Sequence, residues 1–190
     1  MKLGIFGGSF DPVHLGHLLV AQAAMEELGL DRLFFIPAAQ SPFKPESKPA
    51  PDSVRLQLLR LALAGKSNFE VDDQEIRRGG ISYTVDTLRV YAGRFPKAKL
   101  FYLIGADNAA KLTAWREPAE LARLAEFGAI PRSGGPAAVF PAPFRGRMLR
   151  GFPFEVSSSE IRARVKAGLP IENLVPAVVA EAIRNGPLYA

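Results

Sequence analysis

The sequence predicts an α/β fold: a doubly wound parallel sheet with helices on both faces and a small helical part toward its C-terminal end. Three observations predict it. Short apolar runs at residues 2–6, 33–36, 69–71, 100–104 and 127–130 alternate with helical patterns at 15–29, about 53–65, 85–94 and 117–125, and such alternation is what strands joined by crossover helices produce. A glycine-rich turn stands directly after the first run, at the carboxyl end of a strand, where sheets of this class bind ligands. A chain of 190 residues can bury about 70% of its unfolded surface without disulfides or metals. Residues 1–190 are therefore expected to form one domain, with a helical subregion from about 157 to 190.

The first run, Leu3-Gly4-Ile5-Phe6, passes into Gly7-Gly8-Ser9-Phe10-Asp11-Pro12-Val13-His14-Leu15-Gly16-His17. Glycines after a strand let bare N–H groups approach a ligand, and the helix that follows aims its positive dipole end at the same point. That helix reads from Leu15, with Leu15, Leu18, Leu19, Ala23 and Leu28 at three- and four-residue steps and a stop at Gly29. His14 and His17, the only two histidines of the chain, share one side of its first turn. The stretch reads as a phosphate site in which imidazoles donate hydrogen bonds to phosphoryl oxygens and carry part of their charge. Two other readings stand beside it: a plain turn, and a metal site of His14, His17 and Asp11. With no cysteine and no third histidine, any further ligands of such a metal would have to be carboxylates.

The remaining segments follow in order. Residues 37–51 hold five prolines with Lys44 and Lys48 between them, a loop by composition and a candidate lid. Gly80-Ile81-Ser82-Tyr83-Thr84 opens the helix at 85–94, with Ser82 or Thr84 expected as its cap and exposed amides able to hold a carboxylate. Leu103-Ile104-Gly105-Ala106-Asp107 ends a strand in a turn whose acid can take hydrogen bonds from ribose hydroxyls, or can simply cap a helix. Trp115, the only tryptophan, is either core or a stacking platform for a heteroaromatic ring. Residues 131–153 combine glycines and prolines with Arg132, Arg145, Arg147 and Arg150 and no acid. A surface excursion is expected there, solvated in its bland reading. Ser157-Ser158-Ser159-Glu160-Ile161-Arg162 carries a capping box, Ser157 with Glu160, and so starts a helix. Hydroxyls, free amides and a guanidinium together suit the outer phosphates of a nucleotide.

Composition narrows the function. The net charge of +5 suits an enzyme for anionic substrates or a nucleic-acid binder. The basic residues are spread without a Lys/Arg run of five or more, so nucleic acid is not expected as a partner. No run of 18 apolar residues occurs, so no membrane association is expected. Absence of cysteine fits a reducing compartment, and the chain is expected in the cytoplasm; a homo-oligomer is compatible with its composition.

Together these motifs resemble the bacterial nicotinate mononucleotide adenylyltransferases of the HxGH nucleotidyltransferase superfamily, over nearly the whole chain. Gly7-Gly8-Ser9-Phe10-Asp11-Pro12 with His14-x-Gly16-His17 is similar to the N-terminal signature, and Val156-Ser157-Ser158-Ser159-x-x-Arg162 to the C-terminal one. Ser82-Tyr83-Thr84, Gly105-x-Asp107 and Trp115 point to the nicotinate branch. The resemblance implies a Rossmann-like fold and attack of the 5′-phosphate of nicotinate mononucleotide on the α-phosphorus of ATP, with Mg²⁺ on the outer phosphates. It implies His14, His17, Lys44 and Arg162 as catalytic residues. ATP would be held by Gly8, Ser9, Phe10, His17, Gly105, Asp107, Ser157, Ser158 and Arg162, and the mononucleotide by Lys44, Thr84, Trp115, Arg116 and Arg132, with no protein ligand set for a metal. The chain departs from the family where Pro-His-Lys is usual and Pro42-Phe43-Lys44 stands here; Phe43 cannot donate to a phosphate, so Lys44 is expected to carry more of the triphosphate charge. Competing readings are a phosphopantetheine adenylyltransferase, in which Thr usually replaces the first motif histidine, and a nucleotide-binding regulatory module without turnover, against which intact His14, His17, Lys44 and Arg162 argue.

Overall fold

The structure, a computed structural model, describes residues 1–42, 49–131, 137–152, 154–186 and 188–189. Six parallel strands are ordered β3-β2-β1-β4-β5-β6: β1 (Lys2–Gly8), β2 (Arg32–Pro37), β3 (Phe69–Val71), β4 (Lys99–Gly105), β5 (Glu126–Ile130) and β6 (Gly146–Met148). The chain winds outward from β1 to β3, crosses back, and winds outward again from β4. Order therefore reverses between β1 and β4, which pair from Lys2↔Lys99 to Ile5↔Tyr102. Their loops part there and leave a crevice at the carboxyl ends.

The central strands are near-continuous apolar runs because both sheet faces are covered. Phe6, Leu33, Phe35, Phe101 and Leu103 turn to one face and join a core with α1 (Leu15–Leu28) and α2 (Asp52–Leu63), closed by Ile161, Ile171, Val175, Val179 and Ile183 from α7 (Ser158–Lys166), α8 (Ala177–Asn185) and the stretch between them. Their alternates Leu3, Ile5, Phe34, Ile36, Tyr102 and Ile104 meet Val85, Leu88 and Tyr91 of α4 (Thr84–Arg94) and Leu121 of α6 (Pro118–Leu124) on the other. Two further short helices are α3 (Gln74–Arg78) and α5 (Ala106–Ala109). Helix α1 brings Ala21, Ala23 and Ala24 against the sheet, and ends at the glycine stop the sequence predicts. Among the described residues no helix is long and apolar enough to cross a membrane.

The expected excursion at 131–153 needs correction, because it contains β6. Gly146-Arg147-Met148 has no apolar pattern and is exposed throughout. It is drawn into the sheet by buried Phe144 and Leu149 on either side and by backbone bonds Phe127 N–H to Arg145 O and Leu149 N–H to Ala129 O, both 2.8 Å. Glu27 of α1 accepts the N–H groups of Arg150 and Gly151, so the following residues are fastened, not freely solvated.

One charge organises the loops above the sheet. Arg55 of α2 is 0% exposed, occupying a place in the stripe completed by Leu58, Leu59, Ala62 and Leu63. Its guanidinium donates to the carbonyls of Ser9 at 2.7 Å, Ala38 at 2.8 Å and Ala50 at 3.2 Å, and pairs with Asp52. It thereby ties the loop after β1 to the loop after β2. Removing one partner of a buried charged network leaves the others desolvated and unpaired. Arg55→Met is expected to lower unfolding free energy by about 3–5 kcal/mol, measured by urea denaturation; a loss under about 1 kcal/mol would show that water replaces the guanidinium.

Candidate active site

The histidine pair is built by the backbone. His14 is the N-cap of α1, with extended φ of −143° and ψ of 171°, and its Nδ1 accepts the N–H of His17 at 3.3 Å. His17 Nδ1 accepts the N–H of His14 in return at 3.2 Å, so two imidazoles form the reciprocal bonds of a capping box. The rings stack with centroids 3.6 Å apart. Gly16 makes this possible: a Cβ there would meet His14 Nδ1 at 3.0 Å and Val156 Cγ1 at 3.2 Å.

An Nδ1 that accepts an N–H carries no proton, so each neutral ring carries it on Nε2. Burial lowers the His14 pKa to about 4. His17, wedged against Phe6, Phe10 and His14, is lowered well below its ordinary value by burial and then by His14. Both imidazoles are thus neutral near pH 7 in the free protein and offer N–H dipoles. Phe10 of the same loop is 1% exposed with a φ of 48°, and its ring packs edge-on against His17.

The two signature motifs meet, as the sequence requires of a single site. Arg162 donates to the Asp11 carbonyl at 2.7 Å and to Ser159 Oγ at 3.2 Å, and lies 3.6 Å from the Asp11 carboxylate. Ser158 Oγ donates to the Pro12 carbonyl at 2.9 Å. Ser157 is the N-cap of α7, accepting from Glu160 N–H at 3.1 Å. Asp11 gathers more: Oδ1 accepts from Tyr189 Oη at 2.8 Å and from Ala50 N–H at 3.2 Å. Gly8 ends β1, and Gly105 ends β4 and caps α5, so Asp107 stands in the first turn of α5 and is not its N-cap.

A second cluster lies beside β1 and β4. Tyr102 is reached by Thr84 Oγ1 at 3.3 Å and meets Trp115 edge-on at 6.4 Å. A Cβ on Gly7 would stand 2.3 Å from Tyr102 Oη. Trp115 is half-buried against the second core, and the Arg116 guanidinium lies 4.4 Å over the Tyr83 ring. The expected cap of α4 is corrected: Tyr83 is the N-cap and makes no side-chain capping bond. Ser82 Oγ instead accepts Ala39 N–H at 3.0 Å, and Thr84 turns to Tyr102. Lys44, Phe43 and Arg132 lie outside the described residues.

Residues 5–164 match the family model described as cytidylyltransferase-like. A "Probable nicotinate-nucleotide adenylyltransferase" of Opitutus terrae is 42% identical over 191 residues, covering 100% of this chain and 98% of its own. Another of that name, from Exiguobacterium sibiricum, is 40% identical over 190 residues with both chains covered at 100%. The chain belongs to the nicotinate-nucleotide adenylyltransferase family. The solved "Plasmodium falciparum nicotinic acid mononucleotide adenylyltransferase complexed with NaAD" superposes with a TM-score of 0.79 at 17% identity, covering 99% of this chain and 97% of that one, a likeness of fold.

Three residues of this adenylyltransferase escape a motif reading. Arg55 and Tyr102 act behind the loops, and Glu75 of α3 is buried with a hydrogen bond to Thr87. Burial, the largest influence, pushes the Glu75 carboxyl up, against the pull of Thr87, Ser82 and Arg78. The signal available was local: Arg55 and Glu75 interrupt otherwise buried positions with a charge.

The histidines give a pH dependence with a definite sign. An unfolded chain protonates His14 below about 6.5, whereas the folded one resists until about 4, so the unfolded state binds more protons in that window and stability falls as pH drops through it. The drop for His14 is on the order of 3 kcal/mol. His14→Asn, which keeps an N-cap acceptor, is expected to match the parent near pH 7 and to lose less between pH 6.5 and 4, measured by thermal melts. Identical pH profiles for the two proteins would exclude the buried neutral His14.

Proposed function

We propose that this chain transfers the adenylyl group of ATP to the 5′-phosphate of nicotinate mononucleotide, giving nicotinate adenine dinucleotide and pyrophosphate, a step of NAD biosynthesis. The observation that carries the reading is the neutral, mutually capped His14–His17 pair at the β1/β4 crevice, joined to Arg162 through the Asp11 loop. Membership of the family supports it, through relatives matched along their full length.

In this reading the attacking phosphate and the α-phosphorus are held in line, and no covalent enzyme intermediate forms. The phosphate oxygen forms a bond to the α-phosphorus while the bond to the leaving pyrophosphate breaks. His17 and His14 donate their Nε2–H groups to phosphoryl oxygens, dipoles already oriented before charge develops. Arg162, with Lys44, supplies positive charge to the triphosphate. Gly8, Ser9 and Phe10 offer backbone groups, and Ser157 and Ser158 stand at the α7 N-terminus. Gly105 and Asp107 hold the ATP ribose. Among the described residues no three His, Asp or Glu side chains are grouped to hold an ion. A Mg²⁺ on the outer phosphates of ATP would supply charge neutralisation there, beside Lys44 and Arg162.

On the other side Trp115 stacks on the pyridine ring, the amides near Thr84 and Arg116 take its carboxylate, and Arg132 assists in binding the mononucleotide. We treat residues 1–190 as one nucleotidyltransferase domain. The cysteine-free composition suits a reducing compartment, and we place the enzyme in the cytoplasm.

Pyrophosphate release with ATP and Mg²⁺ tests the reading, comparing nicotinate mononucleotide, its nicotinamide analogue and phosphopantetheine. Strong preference for the first is expected; turnover with phosphopantetheine alone, or with none of the three, overturns it. Trp115→Ala is expected to raise KM for the mononucleotide by about tenfold, the worth of one aromatic stack, and to spare KM for ATP. Equal losses for both substrates would assign Trp115 to the core.

A further inference from the structure

Beside α4 lies a buried acid that adenylyl transfer does not use. Glu75 is 4% exposed and Thr87 is 0% exposed, and Thr87 Oγ1 donates to Glu75 Oε1. Ser82 Oγ accepts Ala39 N–H at 3.0 Å. Ser82 N–H also donates to the Gln40 carbonyl at 2.9 Å. Thr84, the first residue of α4, lies between these two hydroxyl residues and bonds Tyr102, whose ring meets Trp115.

We propose that Glu75 is a positioning residue for the pyridine carboxylate: from α3 its side chain holds Thr87, one turn after Thr84, and so fixes the direction in which α4 presents its first free amides. The inference rests on the adenylyl-transfer reading and deepens its mononucleotide side. Asp86 N–H and Thr87 N–H both turn back to the Tyr83 carbonyl, so the amides left for a ligand are those of the first turn, just ahead of the clamped Thr87. A small rotation of that turn redirects them, since hydrogen bonds weaken steeply with angle. The carboxyl suits the post because it accepts from the buried Thr87 hydroxyl.

Steady-state kinetics on Glu75→Ala, Glu75→Gln and Thr87→Val, with thermal midpoints, test the inference. Glu75→Ala and Thr87→Val are expected to raise KM for nicotinate mononucleotide about tenfold, as for loss of one charge-linked hydrogen bond. KM for ATP and kcat at saturation should stay within about twofold, the pattern of lost binding and not of lost chemistry. Glu75→Gln, whose amide oxygen still accepts from Thr87, should recover most of the affinity. Unchanged KM for the mononucleotide in folded Thr87→Val, equal losses for ATP and mononucleotide, or a Glu75→Gln as weak as Glu75→Ala overturns the inference. Should Glu75→Ala fail to fold, Thr87→Val, nearly isosteric, decides alone. A parent enzyme that turns over some other acceptor but not nicotinate mononucleotide removes the functional reading and this inference together; a parent that prefers it, beside variants that match it, removes only the inference.

Discussion

Two buried charges hold the N-terminal loop, and every other part of the site depends on that loop keeping one shape. Arg55 draws in the carbonyls of Ser9, Ala38 and Ala50, while Asp11 collects Tyr189, Ala50 N–H and, more loosely, Arg162. The loop's carbonyls and one carboxylate are bonded from outside, by Arg55, Ser158, Arg162, Tyr189 and Ala50 N–H, which fixes its backbone. That arrangement also explains why segments distant in sequence converge here: Ala50, Arg162 and Tyr189 reach Asp11 from three separate parts of the chain.

The histidines obey the same logic. Each spends its acceptor nitrogen on the other's backbone N–H, which caps α1 and fixes the tautomer in one step. A cationic pair would repel across a 3.6 Å stack and would lose both acceptor bonds. The buried, neutral state therefore trades net charge for orientation. Positive charge is left to residues whose ionisation is not in question at neutral pH, with Arg162 at the rim of the crevice. Anionic phosphates arriving beside the rings would favour their protonated forms, so the charge on the pair belongs to the occupied site and not to the free one.

Much of this was legible in the sequence, and the division between what was and was not is physical. The runs of β1, β2, β4 and β5 became strands because central parallel strands are buried on both faces and must be apolar. Ser157 with Glu160 announced α7, since capping is a local bargain between near neighbours. By contrast β6 is held by backbone bonds and by flanking Phe144 and Leu149, so Gly146-Arg147-Met148 carries no pattern of its own. Ser82 and Thr84 looked like caps because their type suits one, yet their hydroxyls were claimed by Ala39 and Tyr102, partners 43 and 18 positions away. Arg55 and Asp11 likewise take their meaning from distant carbonyls and hydroxyls. Local chemistry is readable locally; a side chain whose partners come from across the fold is not.

In the proposed reading, the same contrast separates the two halves of the site, a phosphate side and a pyridine side. Its phosphate side is made of contiguous motifs, because a phosphate is gripped by clustered N–H groups and a helix end, which a short stretch of chain can supply. The pyridine side is assembled from α3, α4, β4 and the segment after α5, each giving one or two side chains. A flat ring with a carboxylate asks for a wall, a floor and a pair of donors at set angles, and no single helix end provides all three. In that reading orientation comes from behind, through the Thr87 hydroxyl and the acid that holds it, so the choice between pyridine substituents falls on residues behind Thr84 and Tyr102 as well as on those that meet the ring, while the contiguous phosphate motifs set the class of reaction.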